Sequence, residues 1–188
     1  VPGRDGKVLK ADTFLKADQY PGLHHTSLQA GPHPQPIVEG APNYREVGEK
    51  IYGTAQPTVE GIKNVLNRAG SGPGQNGKQA IWTDLRQEPV VYVNGKPFNL
   101  RNVKAPFYNQ EAPGRTPAET EKVEHQLKQD ILDEAKKNGG YITLHDEAKG
   151  MPPRVVETRV KVDQVQTLDE VYGDLQKQGY NVKYQRIP

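Results

Sequence analysis

The 188-residue sequence contains no cysteine, one methionine and one tryptophan. Without a thiol it forms no disulfide, holds no metal through thiolate and has no cysteine nucleophile of its own. That absence says little about compartment, because oxidising and reducing environments both tolerate it. Long apolar runs are missing too, and no stretch approaches the roughly 20 residues needed to span a bilayer. The opening Val1-Pro2-Gly3-Arg4-Asp5-Gly6 lacks an initiator Met and an apolar signal core, which points to an artificial or processing boundary. Charge of one sign is also lacking. The 25 basic and 23 acidic residues leave a net charge of +2, so neither nucleic acid nor a membrane surface is an expected partner.

What is present is a chain of modest core, 34% hydrophobic and 26% charged, whose apolar runs recur regularly enough to exclude disorder. Up to about Pro42 little periodicity is visible, and Gly31-Pro32-His33-Pro34-Gln35-Pro36 cannot continue a helix. Residues 1–42 therefore read as an irregular strap or linker, with His24, His25 and His33 facing solvent. From Ile51 the pattern changes. Pro57 opens a helical stripe of Val59, Ile62, Val65 and Leu66 that stops at Gly70. Ala80-Ile81-Trp82 reads as a buried strand running into Asp84-Leu85-Arg86. Val90–Val93 and Pro97–Leu100 flank Asn94-Gly95, the strongest hairpin signal in the chain.

Two later helices carry capping-box spacings, Thr116 to Glu119 and Thr167 to Glu170. The first presents Val123, Leu127, Ile131 and Ala135 on one face, the second Leu168, Val171 and Leu175. Tyr141–Leu144, Val156–Val162 and Tyr180–Tyr184 read as strands. Helix and strand thus alternate, which predicts an α/β domain with a mixed, partly parallel sheet flanked by helices. The last strand, ending at Gln185-Arg186-Ile187-Pro188, is predicted to leave an unpaired edge that self-associates or is poorly ordered.

Gly72-Pro73-Gly74-Gln75-Asn76-Gly77-Lys78 matches the first seven positions of a P-loop, but Gln79 stands where Ser or Thr would bind Mg²⁺. It also follows a helix and enters a strand, so no helix N-terminus meets a phosphate. It reads as a flexible connection. Asp84, Arg86 and Glu88 would share one face of an extended strand. The reading preferred here is a salt-bridge network that orients the loop. His145, beside Asp146 and Glu147, has no second spaced His, which favours a hydrogen-bonded structural role over a metal ligand or general base. No metal site and no cofactor are expected.

Ile51-Tyr52-Gly53-Thr54-Ala55-Gln56-Pro57-Thr58 with Gly61, then Trp82 through Gly95, resemble the paladin and phytase-like branch of the protein tyrosine phosphatases. So do the helix from Glu121, Leu144-His145-Asp146-Glu147, the helix from Thr167 and Tyr184-Gln185-Arg186-Ile187-Pro188. Together these cover about residues 41–188. The resemblance implies a partial phosphatase-like domain over 43–188, cut before its catalytic loop. In that family the Arg-Ile-Pro strand leads to a general-acid Asp and, later, a His-Cys-x5-Arg loop, both beyond Pro188. No catalytic residue is therefore expected within the chain. Asn43-Tyr44-Arg45 resembles an entrance motif whose Arg approaches substrate phosphates, which makes Arg45 the substrate-binding candidate; the alternative is a surface or strap-anchoring Arg. A guanidinium suits this role because it stays charged and binds oxygens in a planar fork. Asp84, Arg86, Glu88 and His145 would be structural residues near the pocket. The implied function is the N-terminal part of an inositol polyphosphate phosphatase whose partner is a phosphorylated ligand, bound weakly or not at all by this piece. The alternative is a non-catalytic phosphate- or protein-binding module, for instance of a secreted bacterial effector.

Overall fold

The computed structural model describes residues 6–18, 32–110, 114–148 and 154–187. His24 and His25 lie outside the described residues, and His33 is exposed. The chain divides into two compact units: Val1–Asp18, Thr83–Leu168 and Arg186–Pro188 in one, Gln19–Trp82 and Asp169–Gln185 in the other.

The first unit is built on a six-stranded sheet. Its strands are β1 (Thr13–Ala17), β5 (Val90–Val93), β6 (Lys96–Asn102), β7 (Tyr141–Ala148), β8 (Arg154–Lys161) and β9 (Val165–Thr167), in spatial order β8-β7-β1-β6-β5-β9. The pairing is antiparallel except between β1 and β7, so the sheet is mixed. The Asn94-Gly95 hairpin forms as the sequence requires, with φ of 51° and 80° at the two turn residues.

A period-2 division of faces organises this sheet. Leu15, Leu100, Val91, Ile142 and Val165 project to one side, where Leu127 and Ile131 complete an apolar core. Those two come from α2 (Pro117–Lys137), which opens with the expected capping box: Thr116 accepts from the Glu119 N–H and Glu119 accepts from the Thr116 N–H. The other side is polar yet buried, carrying Lys16, Asp18, Asn99 and Arg101.

β1 is the main departure from the sequence reading, which placed no strand before Pro42. Thr13–Ala17 lies between β6 and β7, with Thr13 opposite Asn102 and Lys16 opposite both Asn99 and His145. Its pattern was hidden because the polar face is itself buried: Leu15, Lys16 and Ala17 are all enclosed, so no wet alternation marks the strand. Asp130 on α2 holds the approach to this strand, accepting from the Val8 and Leu9 N–H groups at 2.6 and 3.0 Å.

The second unit contains the hairpin β2 (Arg45–Val47) and β3 (Ile51–Gly53), with α1 (Val59–Arg68) and most of α3 (Leu168–Lys177). The strands β4 (Ala80–Asp84) and β10 (Val182–Arg186) pair as a separate two-stranded sheet. Ala80 N–H donates to Asn181 O, and Ile187 N–H donates to Asp84 O, so the two run parallel. The last strand thus begins two residues later than expected. Its neighbour Tyr172 stacks on Tyr184 with centroids 4.5 Å apart, and Trp82 packs against Tyr172 at 5.6 Å. α3 follows β9 without a break, Thr167 ending the strand directly before the helix begins at Leu168.

The glycine-rich stretch at 72–78, expected to be a flexible connection, is tied down. Gln75 Oε1 accepts from the Gly72 N–H at 2.7 Å and Ser71 Oγ donates to Lys78 O at 3.0 Å. A tighter constraint lies at α1. Thr58 caps that helix by accepting from the Gly61 N–H, and Thr58 N–H donates to Gly40 O. A side chain at Gly61 would run into that same Gly40 carbonyl. Replacing a helical Gly by Ala ordinarily gains up to about 1 kcal/mol. Here the backbone collision reverses the sign, and Gly61→Ala is expected to lower stability by about 1–3 kcal/mol. A urea midpoint at or above that of the parent would refute this close approach.

Candidate functional site

The segment after β4 carries the Asp84-Leu85-Arg86-Gln87-Glu88 motif. The strand stops at Asp84, so Asp84, Arg86 and Glu88 do not share a strand face as predicted. A local turn brings them together instead, the Arg86 N–H donating to Asp84 Oδ1 at 2.9 Å. Asx turns of this kind end strands because the side chain replaces a ladder partner. Helix α2 anchors the rest of the segment. Thr120 Oγ1 donates to Gln87 O at 3.1 Å, and the Val90 N–H donates to Glu124 Oε1 at 2.9 Å.

Two ion networks converge here. Arg86 pairs with Asp18 and, at 2.9 Å, with Glu88, while Asn99 Nδ2 donates to the second Asp18 oxygen at 2.6 Å. Burial works against the Arg86 charge, but Asp18 and Glu88 more than offset it and hold its pKa above the usual value. In the other network, Arg186 meets Glu124 at 2.6 Å and Asp84 at 3.6 Å, all three side chains being buried. Burial pushes the Glu124 carboxyl up to about 7, against the pull of Arg186 and the Val90 N–H. Four carboxylates share two guanidiniums, so the cluster has no surplus positive charge to offer a phosphate. Its side chains are paired with one another instead.

His145 likewise makes structural contacts. Its Nδ1 lies 3.1 Å from Leu15 O and its Nε2 3.3 Å from Glu157 Oε1, with Phe14 packed on the ring at 4.5 Å. Further along the polar face, Lys16 pairs with Glu147 at 2.5 Å. The 95%-buried Arg101 keeps Nε and Nη1 without a hydrogen-bond partner, and burial pulls its pKa down.

Arg45 differs from all of these. It is exposed on β2, opposite Gly53, and its side chain has no hydrogen bond or ion pair to the described residues. Its neighbour Glu46, the one local carboxylate that could neutralise it, is engaged elsewhere. Glu46 accepts from Tyr44 Oη at 2.9 Å and pairs with Arg68 at 2.5 Å, contacts that lower the carboxyl pKa. Gly53 leaves room for the guanidinium, since a methyl there would approach Arg45 Nε to 3.1 Å.

The sequence reading missed Asp18, Asn99, Glu124 and Arg68. Only Glu124 left a usable signal, because Thr120, Glu124, Leu127 and Ile131 recur at helical spacing and all are buried.

A family model for protein-tyrosine-phosphatase-like phytases, described by the words inositol hexakisphosphate, matches residues 83–188. Paladin of Gallus gallus is 28% identical over 148 residues, covering 78% of this chain and 16% of that protein. Paladin of Xenopus tropicalis is 39% identical over 57 residues, 29% of this chain and 6% of that protein. Among solved structures, the protein-tyrosine-phosphatase-like myo-inositol phosphatase from Mitsuokella multacida, in complex with myo-inositol-(1,3,4,5)-tetrakisphosphate, superposes with a TM-score of 0.54 at 16% identity. That match covers 96% of this chain and 29% of the other. The tandemly repeated phytase of the same organism gives a TM-score of 0.53 at 15% identity, with the same coverage of 96% and 29%. At such identities these structures show the fold alone, and the chain spans well under a third of each relative.

The pKa of Glu124 carries a pH dependence with a defined sign. The folded value lies above that of a free carboxyl, so folding takes up a proton, and the contribution is lost as pH rises towards about 7. Stability is expected to fall by about 1–3 kcal/mol between roughly pH 5 and pH 7.5. Glu46 and Glu119 are held below the usual carboxylate range and act at lower pH. Urea titrations at both pH values should show the loss in the parent and a flatter profile in Glu124→Gln. An equal slope in the two would refute the assignment.

Proposed function

Because the chain belongs to the protein-tyrosine-phosphatase-like phytase family, we propose that it forms the N-terminal part of an inositol polyphosphate phosphatase. The observation that carries this reading is the family match across residues 83–188, the stretch that holds Asp84, Arg86, Glu124 and Arg186. Residues 43–188 supply the scaffold of the phosphatase-like domain. The nucleophilic cysteine and the general acid come from sequence after Pro188. Asp84, Arg86, Glu88 and His145 hold strands and loops in place. Arg45 contacts a phosphate of the ligand, a role supported by its exposure, its lack of a partner and the engagement of Glu46 with Arg68. Self-association through the β10 edge forms no part of this reading.

The chemistry divides naturally along those lines. Attack on phosphorus needs a thiolate, and its leaving oxygen needs a proton donor. This chain has no thiol to give. What it can supply is a charged, bidentate group that orients a polyanionic substrate. The absence of any cysteine favours one second reading, a non-catalytic module that binds phosphate-bearing ligands or a protein partner.

The 188-residue chain alone is expected to give no turnover of phytate or p-nitrophenyl phosphate. Activity that tracks the protein through repurification would overturn the division of labour. In a longer protein that includes the cysteine loop, Arg45→Ala is expected to weaken inositol hexakisphosphate binding by about 1.5–3 kcal/mol, as read by calorimetry. A change within about 0.3 kcal/mol, below even a modest net hydrogen bond, would make Arg45 a structural residue.

A further inference from the structure

Strands β1 and β7 run parallel side by side, yet only Lys16 and His145 are in register. Their outer flanks are well paired, with five register positions between β1 and β6 and eight between β7 and β8. Towards their N-terminal ends the two strands line a concavity of about 500 Å³ instead of forming a ladder. Thr13, Phe14 and Leu15 form one wall, and Tyr141, Ile142 and Thr143 the other.

The outer ladders determine which backbone groups look into this gap. The Val103 N–H donates to Asp12 O and the Asp18 N–H donates to Pro97 O. Even-numbered positions of β1 therefore turn towards β6, and Thr13 and Leu15 turn towards β7. The 3.1 Å contact from His145 Nδ1 to Leu15 O, beside the Lys16–His145 bridge, agrees with that orientation. On β7, the Val162 N–H donates to Gly140 O, which leaves Tyr141 and Thr143 turned towards β1. The Thr13 and Tyr141 N–H groups are taken by Lys10 O and Asn138 O, so the donors that face the gap are the Leu15 and Thr143 amides. Two strand edges thus face a cavity inside a single sheet. Such edges template an added strand, whose main chain supplies the hydrogen bonds.

The side chains around the gap give the occupant a sign. Lys10 and Arg159 line it, Arg159 lies 4.5 Å over the Tyr141 ring, and Lys161 stands opposite Tyr141 in the ladder. The one acidic lining residue, Glu134, already accepts from Asn138 Nδ2 at 3.2 Å. We propose that the gap between β1 and β7 is a peptide-binding notch, which takes an extended acidic segment of a partner protein as a short added strand. His145 closes its inner end, and Phe14 and Tyr141 flank the side chains of the incoming segment. The site is independent of Arg45 and of the phosphatase reading.

The test titrates isotope-labelled chain with three short capped peptides, followed by amide NMR. One alternates Glu with Val, one alternates Lys with Val, and the third is the acidic peptide N-methylated at alternate amides. The acidic peptide is expected to bind with Kd below about 1 mM and to shift the Leu15 and Thr143 amides. The basic and N-methylated peptides should each bind about tenfold more weakly or worse. Arg159→Ala should weaken the acidic peptide about threefold with an unchanged thermal midpoint. The proposal is overturned by any of three results: no binding below that limit, shifts that avoid the gap, or equal affinity for the N-methylated or basic peptide.

Discussion

The Arg186 guanidinium is taken out of water against two acidic side chains. An ionised group with no counter-charge in such a place costs several kcal/mol, and removing one partner of a buried pair is correspondingly severe. Glu124 supplies the close contact and Asp84 the longer one. Each of those acids also holds backbone: Glu124 accepts from the Val90 N–H, and Asp84 accepts from the Arg86 N–H. One cation thereby fixes the exit of β4, the start of β5 and the end of β10 relative to α2. The Arg86 network with Asp18 and Glu88 is stacked on the same segment and relies on its path.

This arrangement leaves little free positive charge around the Asp84–Glu88 motif. Carboxylates outnumber guanidiniums within it, and every Arg there is committed to a protein partner. Charge density in a sequence does not show whether that charge is already neutralised. Arg45 stands out for the opposite reason, since Tyr44 and Arg68 occupy its neighbouring acid and leave the guanidinium to solvent. In the proposed function the nucleophile is assigned to residues outside this chain because the chain has no thiol.

Local chemistry made much of this legible in the sequence. Asn94-Gly95 fixed its hairpin because few residue pairs tolerate two positive φ angles. Thr116 and Glu119 marked the start of α2 through reciprocal bonds that need only that spacing. The stripe on α1 located Ile62, Val65 and Leu66 in the core. Long-range chemistry stayed hidden. β1 carries buried Lys16 and Asp18, which break the expected alternation, and their partners lie over eighty residues away in the cases of Asn99 and Glu147. Glu124 falls in register with the buried stripe of α2. Its role depends on Arg186, which no spacing rule connects to it. The family resemblance supplied Arg45, but only the structure shows that Glu46 does not neutralise it.

The placement of β1 also sets a schedule. Thr13–Ala17 emerges from the ribosome well before its partners, Lys96–Asn102 on one side and Tyr141–Ala148 on the other. More than a hundred residues must be synthesised before its register with His145 can exist. Pairings of such high sequence separation form slowly, because the loop entropy is spent before the contact is gained. In the interval β1 can pair with β6, but its β7-facing edge and the β9-facing edge of β5 both stay open. A nascent chain in that state is open to mispairing and to chaperone capture, so synthesis speed across residues 103–140 acts on how much of the protein reaches its native sheet.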